Sequence, residues 1–180
     1  MRTRGFTLVE LLIGMVILAI LLLLALPTFS SFMGNTRIRN TADSMMNGVR
    51  LAQVEAIKRN RIVEFEVDPA VGWVVRDPAP APLGGDIHQE VFSEANASIT
   101  INPLPAGSLM LTFDGIGQFL PVNPSDASIP INRIEVQSTT IPNPNNLEVI
   151  ANPILGAGMR VCDPDFNNLS DPKTGSIACP

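Results

Sequence analysis

The chain has 180 residues, 46% of them hydrophobic and only 16% charged, where about a quarter charged is usual. That composition excludes a disordered, charge-rich solvator, and the length suits one domain with an extension rather than two enzyme-sized halves. A net charge of −5 disfavours a strongly basic nucleic-acid binder, and two Cys exclude a disulfide-rich scaffold or a four-thiolate zinc site.

The chain opens Met-Arg-Thr-Arg-Gly, and no charged side chain occurs from Leu11 to Thr36. That stretch exceeds the ~20 residues that cross a bilayer as a helix, so a membrane-spanning helix is predicted over 6–33. Arg2, Arg4 and the free amine hold the extreme N-terminus on the cytoplasmic side and send the remaining chain outward. A cleaved secretory signal would need a small-residue site after the apolar run, and Ala25-Leu26-Pro27-Thr28 offers none. A plain anchor gives no reason for Glu10, whose carboxylate near hydrocarbon costs about 3 kcal/mol unless paired.

Arg4-Gly5-Phe6-Thr7-Leu8-Val9-Glu10 followed by the apolar run resembles the class III leader of type IV prepilins and type II secretion pseudopilins. The resemblance implies that residues 1–5 are a leader, that prepilin peptidase cuts after Gly5, and that Phe6 is then N-methylated. It also implies that Glu10, the fifth mature residue, pairs with the amino group at Phe6 of a neighbouring subunit. Two opposite charges leaving water together lose less than either alone, which would make Glu10 a register pin. Pro27 matches the family's helix-breaking proline, and its missing N–H predicts a kink or local melting.

From Arg37 the pattern turns amphipathic. Ile38, Ala42, Met45, Val49, Ala52 and Ala56 recur at steps of four and three, which predicts a helix to about Asn60 with one buried face. Arg39, Asp43, Arg50 and Arg59 lie off that face, and Glu55 can pair with Arg59 one turn on. The methionines read as core filler. Leu51 to Asn60, followed by Val63, resembles the helix end of the FimT/GspH group, which comprises FimT- and FimU-type minor pilins and the H-type pseudopilin.

Beyond the helix, short apolar runs are predicted as strands at Ile62–Val67, Trp73–Arg76, Ser98–Ile101, Leu109–Phe113, Arg133–Gln137, Leu147–Ala151 and Met159–Cys162. Asp-Pro, Asn-Pro, Gly-Gly and Asp-Gly turn signals separate them. The expected fold is α+β and pilin-like, with the long N-terminal helix laid across an antiparallel sheet in a periplasmic head spanning 34–180. Asp77 to Gly85 is expected to be an exposed loop within that head. In an exported head, Cys162 and Cys179 should oxidise into a bridge, as the C-terminal disulfide loop of many type IV pilins also suggests; two buried free thiols are the alternative.

Signals for chemistry fail one by one. Gly115-Ile116-Gly117 and Gly156-Ala157-Gly158 lack the third glycine of a dinucleotide loop and read as turns. His88 is the single histidine. Asp163-x-Asp165-x-Asn167 begins like a calcium loop, but Asn168 replaces the required glycine and Thr174 the bidentate glutamate. No catalytic residue, metal or cofactor is expected. Some FimT-type proteins are thought to bind DNA through Gly-Arg-x-Arg, whereas this chain has Gly158-Met159-Arg160-Val161 with one arginine. Beyond Arg61, four basic residues face fourteen acidic ones, a net −10. Arg160 is therefore the one residue worth weighing as a DNA contact, and nucleic acid is disfavoured as a partner.

These readings predict a non-enzymatic minor pilin that helps prime type IV pilus assembly. It would start as a single-pass inner-membrane protein with a periplasmic head and move to the pilus, at or near the tip. Expected partners are other minor and major pilins (or pseudopilins), prepilin peptidase and the inner-membrane assembly platform. The alternatives are an H-type pseudopilin of type II secretion and a FimT-like DNA-binding pilin for transformation.

Overall fold

The computed structural model describes residues 7–92, 98–141, 144–151, 159–164 and 179, without the side chains at 24–28. A single helix, α1, runs Leu8–Arg59, 52 residues and about 78 Å of rise. Thr7 caps its start: the Glu10 N–H donates to Thr7 Oγ1 at 3.2 Å, and the Leu11 N–H to the Thr7 carbonyl at 3.2 Å. Asn60 ends it in the left-handed conformation (φ 49°, ψ 46°). The Asn60 N–H reaches the Ile57 carbonyl and the Arg61 N–H the Ala56 carbonyl, closing the last turn as a Schellman motif with Lys58 and Arg59 at the negative dipole end.

The helix is continuous through Pro27, so of the kink or local melting expected there, the melting does not occur. One proline removes a single hydrogen bond, and the turns on either side keep theirs.

Eight strands follow among the described residues: β1 Val63–Asp68, β2 Gly72–Asp77, β3 Gly85–Val91, β4 Ile99–Leu104, β5 Met110–Phe113, β6 Arg133–Ser138, β7 Leu147–Ile150 and β8 Arg160–Cys162. They form two antiparallel four-stranded sheets, ordered β3-β2-β1-β5 and β4-β6-β7-β8, where the sequence suggested one sheet. Seven of the strands coincide with predicted runs, and β3 does not. Its residues Asp86, His88, Gln89 and Glu90 are exposed and show no apolar alternation; pairing with β2 holds it as an edge. The loop expected over Asp77 to Gly85 is shorter, because Asp77 ends β2 buried and Gly85 opens β3; it joins two neighbouring strands of one sheet.

The predicted helix stripe is the centre of the core. Ile38, Ala42, Met45, Val49, Ala52 and Ala56 are fully buried, and Met46 joins them. Against them lie Phe65, Val67, Trp73, Val75, Leu111 and Phe113 from the first sheet and Ile101, Ile134, Val136 and Val149 from the second. Burying a side chain the size of Phe65 or Phe113 contributes ~1.5–3 kcal/mol. Gly48 sets how closely α1 approaches the first sheet, because a Cβ there would stand 2.7 Å from a Phe65 ring carbon and 2.9 Å from the Trp73 ring. The Trp73 indole donates to Ser44 Oγ at 2.9 Å, and Ser44 donates to Glu90 at 2.8 Å, tying β3 to the helix.

The chain between β5 and β6 folds back over the outer face of the first sheet. Asn123, fully buried, accepts from the Thr112 hydroxyl at 2.8 Å and donates to the Met110 carbonyl and to Ser128 Oγ. Ser125 donates to Glu64, which is why a glutamate can lie buried in β1. The turn at Gly115–Gly117 precedes this segment, with Gly117 at φ +80°.

Gly48→Val is expected to destabilise the head by about 1–3 kcal/mol, read as a lowered urea midpoint, since ring and helix backbone must separate. Gly48→Ala should lie between that variant and the parent. Acid unfolding supplies a second check. A hydrogen bond from Lys58, then one from Arg59 at 2.8 Å, holds the buried Glu55 carboxyl below its usual range. That stabilisation is complete above the unfolded value near pH 4.3 and disappears as pH falls through the lowered folded value. Glu55→Gln should therefore lose stability at pH 7 and converge with the parent toward pH 3 in urea titrations.

Candidate assembly interface

From Leu8 to Leu23 every large apolar side chain of α1 is more than half exposed, and Phe29 and Phe32 continue the surface. A helix apolar all round needs lipid or other apolar helices about it. Among the described residues no helix is long and apolar enough to cross a membrane. The unbroken run of described apolar side chains at the start of α1 ends at Leu23, short of the ~20 residues of a span, and the run predicted over 6–33 also draws on the side chains at 24–28. Residues 1–6, with the expected processing positions Gly5 and Phe6, lie outside the described residues, as does the Pro27 side chain.

Glu10 stands in the first turn of this surface, exposed, where the helix dipole favours an anion. Among the described residues its carboxylate has no ion-pair partner.

At Gly34 the helix is in contact with the head. A Cβ there would stand 2.7 Å from Ile141 Cδ1, and the Asn145 N–H donates to Asn35 Oδ1 at 3.0 Å, so the β6–β7 connection packs directly on the helix. Sequence reasoning did not single out Gly34. Its signal was a Gly-Asn pair at the point where the apolar run gives way to charge.

In the head, Cys162 and Cys179 form the expected disulfide, 17 residues apart, with Cys162 buried at the end of β8. Glu148, buried beside it in β7, pairs with Arg133 at 3.3 Å. The Glu148 carboxylate and the two sulfurs lie within 4.8 Å of one another, but sulfurs joined in a disulfide offer no thiolate to a metal. The incipient calcium loop, Asp165, Asn167, Asn168 and Thr174, lies outside the described residues. His88 packs on Trp73 with ring centres 5.4 Å apart.

Arg160 is half-buried in β8 and shares one row of the sheet with Ile150 and Arg133. The same face carries Glu135 and Glu148 one row on, so two arginines face two glutamates. Such a face has no excess of cations to offer phosphate.

Residues 1–26 match the prokaryotic N-terminal methylation motif, and residues 41–149 match the family described as type II transport protein GspH. Pilin-like protein PilA1 of Thermus thermophilus is 33% identical over 141 residues, covering 72% of this chain and 86% of that protein. The chain belongs to the GspH family of type IV pilin-like proteins. The crystal structure of the type IV minor pilin FimU from Pseudomonas aeruginosa shares this GspH-family chain's fold with a TM-score of 0.51 at 16% identity. The match covers 73% of this chain and 91% of FimU. Members of this kind are structural subunits, and the helix-on-sheets arrangement above is theirs.

Removing the disulfide by Cys162→Ser with Cys179→Ser should cost the GspH-family head about 3 kcal/mol, measured as the urea-midpoint difference between parent and variant. Under reducing conditions the two proteins should unfold together.

Proposed function

We propose that this chain is a minor pilin of a type IV pilus, made as a prepilin, cut after Gly5 and methylated on Phe6. In this reading residues 6–33 anchor it in the inner membrane with the head in the periplasm. Together with other minor pilins it primes filament assembly on the inner-membrane platform, and it stays at or near the tip. The observation that carries the reading is an apolar helix half, exposed on all sides, with one carboxylate, Glu10, in its first turn. Glu10 then pairs with the amino group at Phe6 of a neighbouring subunit, so that a subunit one residue out of line leaves a charge unpaired in apolar surroundings. Pro27 adapts the helix to its neighbours. The similarity to a pilin-like protein and to a type IV minor pilin supports the pilus over other machines.

The match to the type II transport protein GspH favours a second reading, an H-type pseudopilin of type II secretion. Deletion in the native host separates the two. Loss of pili and twitching supports the first, and retention of exoenzymes inside the cell supports the second. DNA binding through Arg160 draws no support from a sheet face on which acids balance the arginines.

Glu10→Ala should be inserted and lose residues 1–5 by mass spectrometry, yet enter filaments at least about tenfold less than the parent. Gly5→Ala, the processing control, should remain as precursor. Incorporation of Glu10→Ala at the parent level would remove the register role.

A further inference from the structure

The second sheet carries a charged row on the side away from α1. Ile134, Val136 and Val149 point into the core, so by strand alternation Glu135, Glu148 and Cys162 face the other way, side by side across β6, β7 and β8. Glu148 is nevertheless only 5% exposed. Its carboxylate and the sulfurs of Cys162 and Cys179 all lie within 4.8 Å of one another. Arg133 stands 3.3 Å from Glu148 Oε2, yet that oxygen is shut off from solvent and accepts no hydrogen bond among the described residues. A buried pair held this loosely is weak evidence for stability, since an apolar side chain of similar volume often serves as well. The other charges nearby do not cancel it. Glu135 accepts from Gln137, Asp163 follows Cys162 and is buried too, and Arg160 stands one row away.

A disulfide opens when a thiolate attacks one sulfur and the other leaves with the electron pair. The two ends of this bridge are not equivalent. Cys179 is half-buried whereas Cys162 is 1% exposed, so attack falls on Cys179 and the electron pair departs on Cys162. Negative charge then develops on the sulfur that lies opposite Glu148 in the sheet. Like charges this close repel strongly where water is excluded.

We propose that Glu148 is an electrostatic lock on the Cys162–Cys179 bridge, slowing its opening by dithiols because the departing Cys162 thiolate forms against a buried carboxylate. The first sulfur of the dithiol joins Cys179, and Cys162 leaves and takes a proton. The second sulfur then displaces Cys179, so the dithiol ends as a cyclic disulfide and the protein as two thiols. Closing retraces these steps with the Cys162 thiolate as the attacking group, so the same repulsion slows it. Both rates fall together, while the equilibrium between neutral thiols and bridge stays where it is. The inference is independent of which machine the chain serves.

The test opens the bridge in the full chain with excess dithiothreitol at pH 7, stops the reaction by alkylation and counts free thiols by mass spectrometry. Glu148→Gln keeps the shape without the charge and should open about five- to twentyfold faster than the parent. Glu148→Asp keeps the charge and should stay within about twofold of the parent. The reverse order, with Gln like the parent and Asp faster, makes packing the cause and overturns the proposal. Closing by oxidised dithiothreitol should accelerate in Glu148→Gln by the same factor as opening. A shifted equilibrium with an unchanged closing rate makes Glu148 a structural stabiliser of the bridge and also overturns the proposal. Urea midpoints equal to the parent show that the oxidised variants are folded. If Glu148→Gln unfolds early, Glu148→Gln with Arg133→Gln takes its place, leaving no orphaned charge and with the same acceleration expected.

Discussion

Two sheets bury their inner faces against the same strip of one helix, and that strip is narrow because several of its residues are small. Ala42, Ala52 and Ala56 let two sheets converge where larger side chains would hold them apart, and Gly48 lets the Phe65 and Trp73 rings touch the helix itself. Bulk is supplied from the sheet side, by Phe65, Phe113, Leu111 and Ile134. Close packing then makes each part depend on the others, since a gap or a clash at the strip is felt in both sheets.

The same helix has two solvents. Its upper half keeps the stripe that faces the head, and its polar positions face water. Its lower half has no polar side, and among the described residues full burial is first reached where Gly34 and Asn35 meet the β6–β7 connection. A continuous backbone therefore joins a folded head to a surface that needs a partner of its own. Glu10 is the one charged group in that surface, and this gives the family relationship its physical content.

The helix was legible because two strong periodic signals abut: an uninterrupted apolar run, then a three-and-four stripe whose six residues are all fully buried. Its end was legible from Lys58-Arg59-Asn60, with cations at the negative dipole end and asparagine in the left-handed turn. Strand β3 was hidden because pairing on one edge requires backbone hydrogen bonds, not apolar side chains, and its exposed residues leave no alternation to read. The division into two sheets was hidden as well. Strand patterns report which side of a strand is buried, and both sheets bury theirs against the same helix. The segment around Asn123 carried only turn-forming residues, yet its side-chain amide holds the back of β5. In the assembly surface, the leader motif was plain in the residues. Gly34 was not legible, because its role depends on how close the distant Ile141 comes.

The shared strip also determines how the molecule would carry tension along α1. Sheets stacked side by side on a rod cannot be peeled away strand by strand when the rod is pulled lengthwise. The rod must slide past both at once, so the load falls in shear on the whole buried seam from Ile38 to Ala56. Such a joint resists in proportion to its length, and the Ile141 contact at Gly34 extends it by a further turn at the end where the pull would enter.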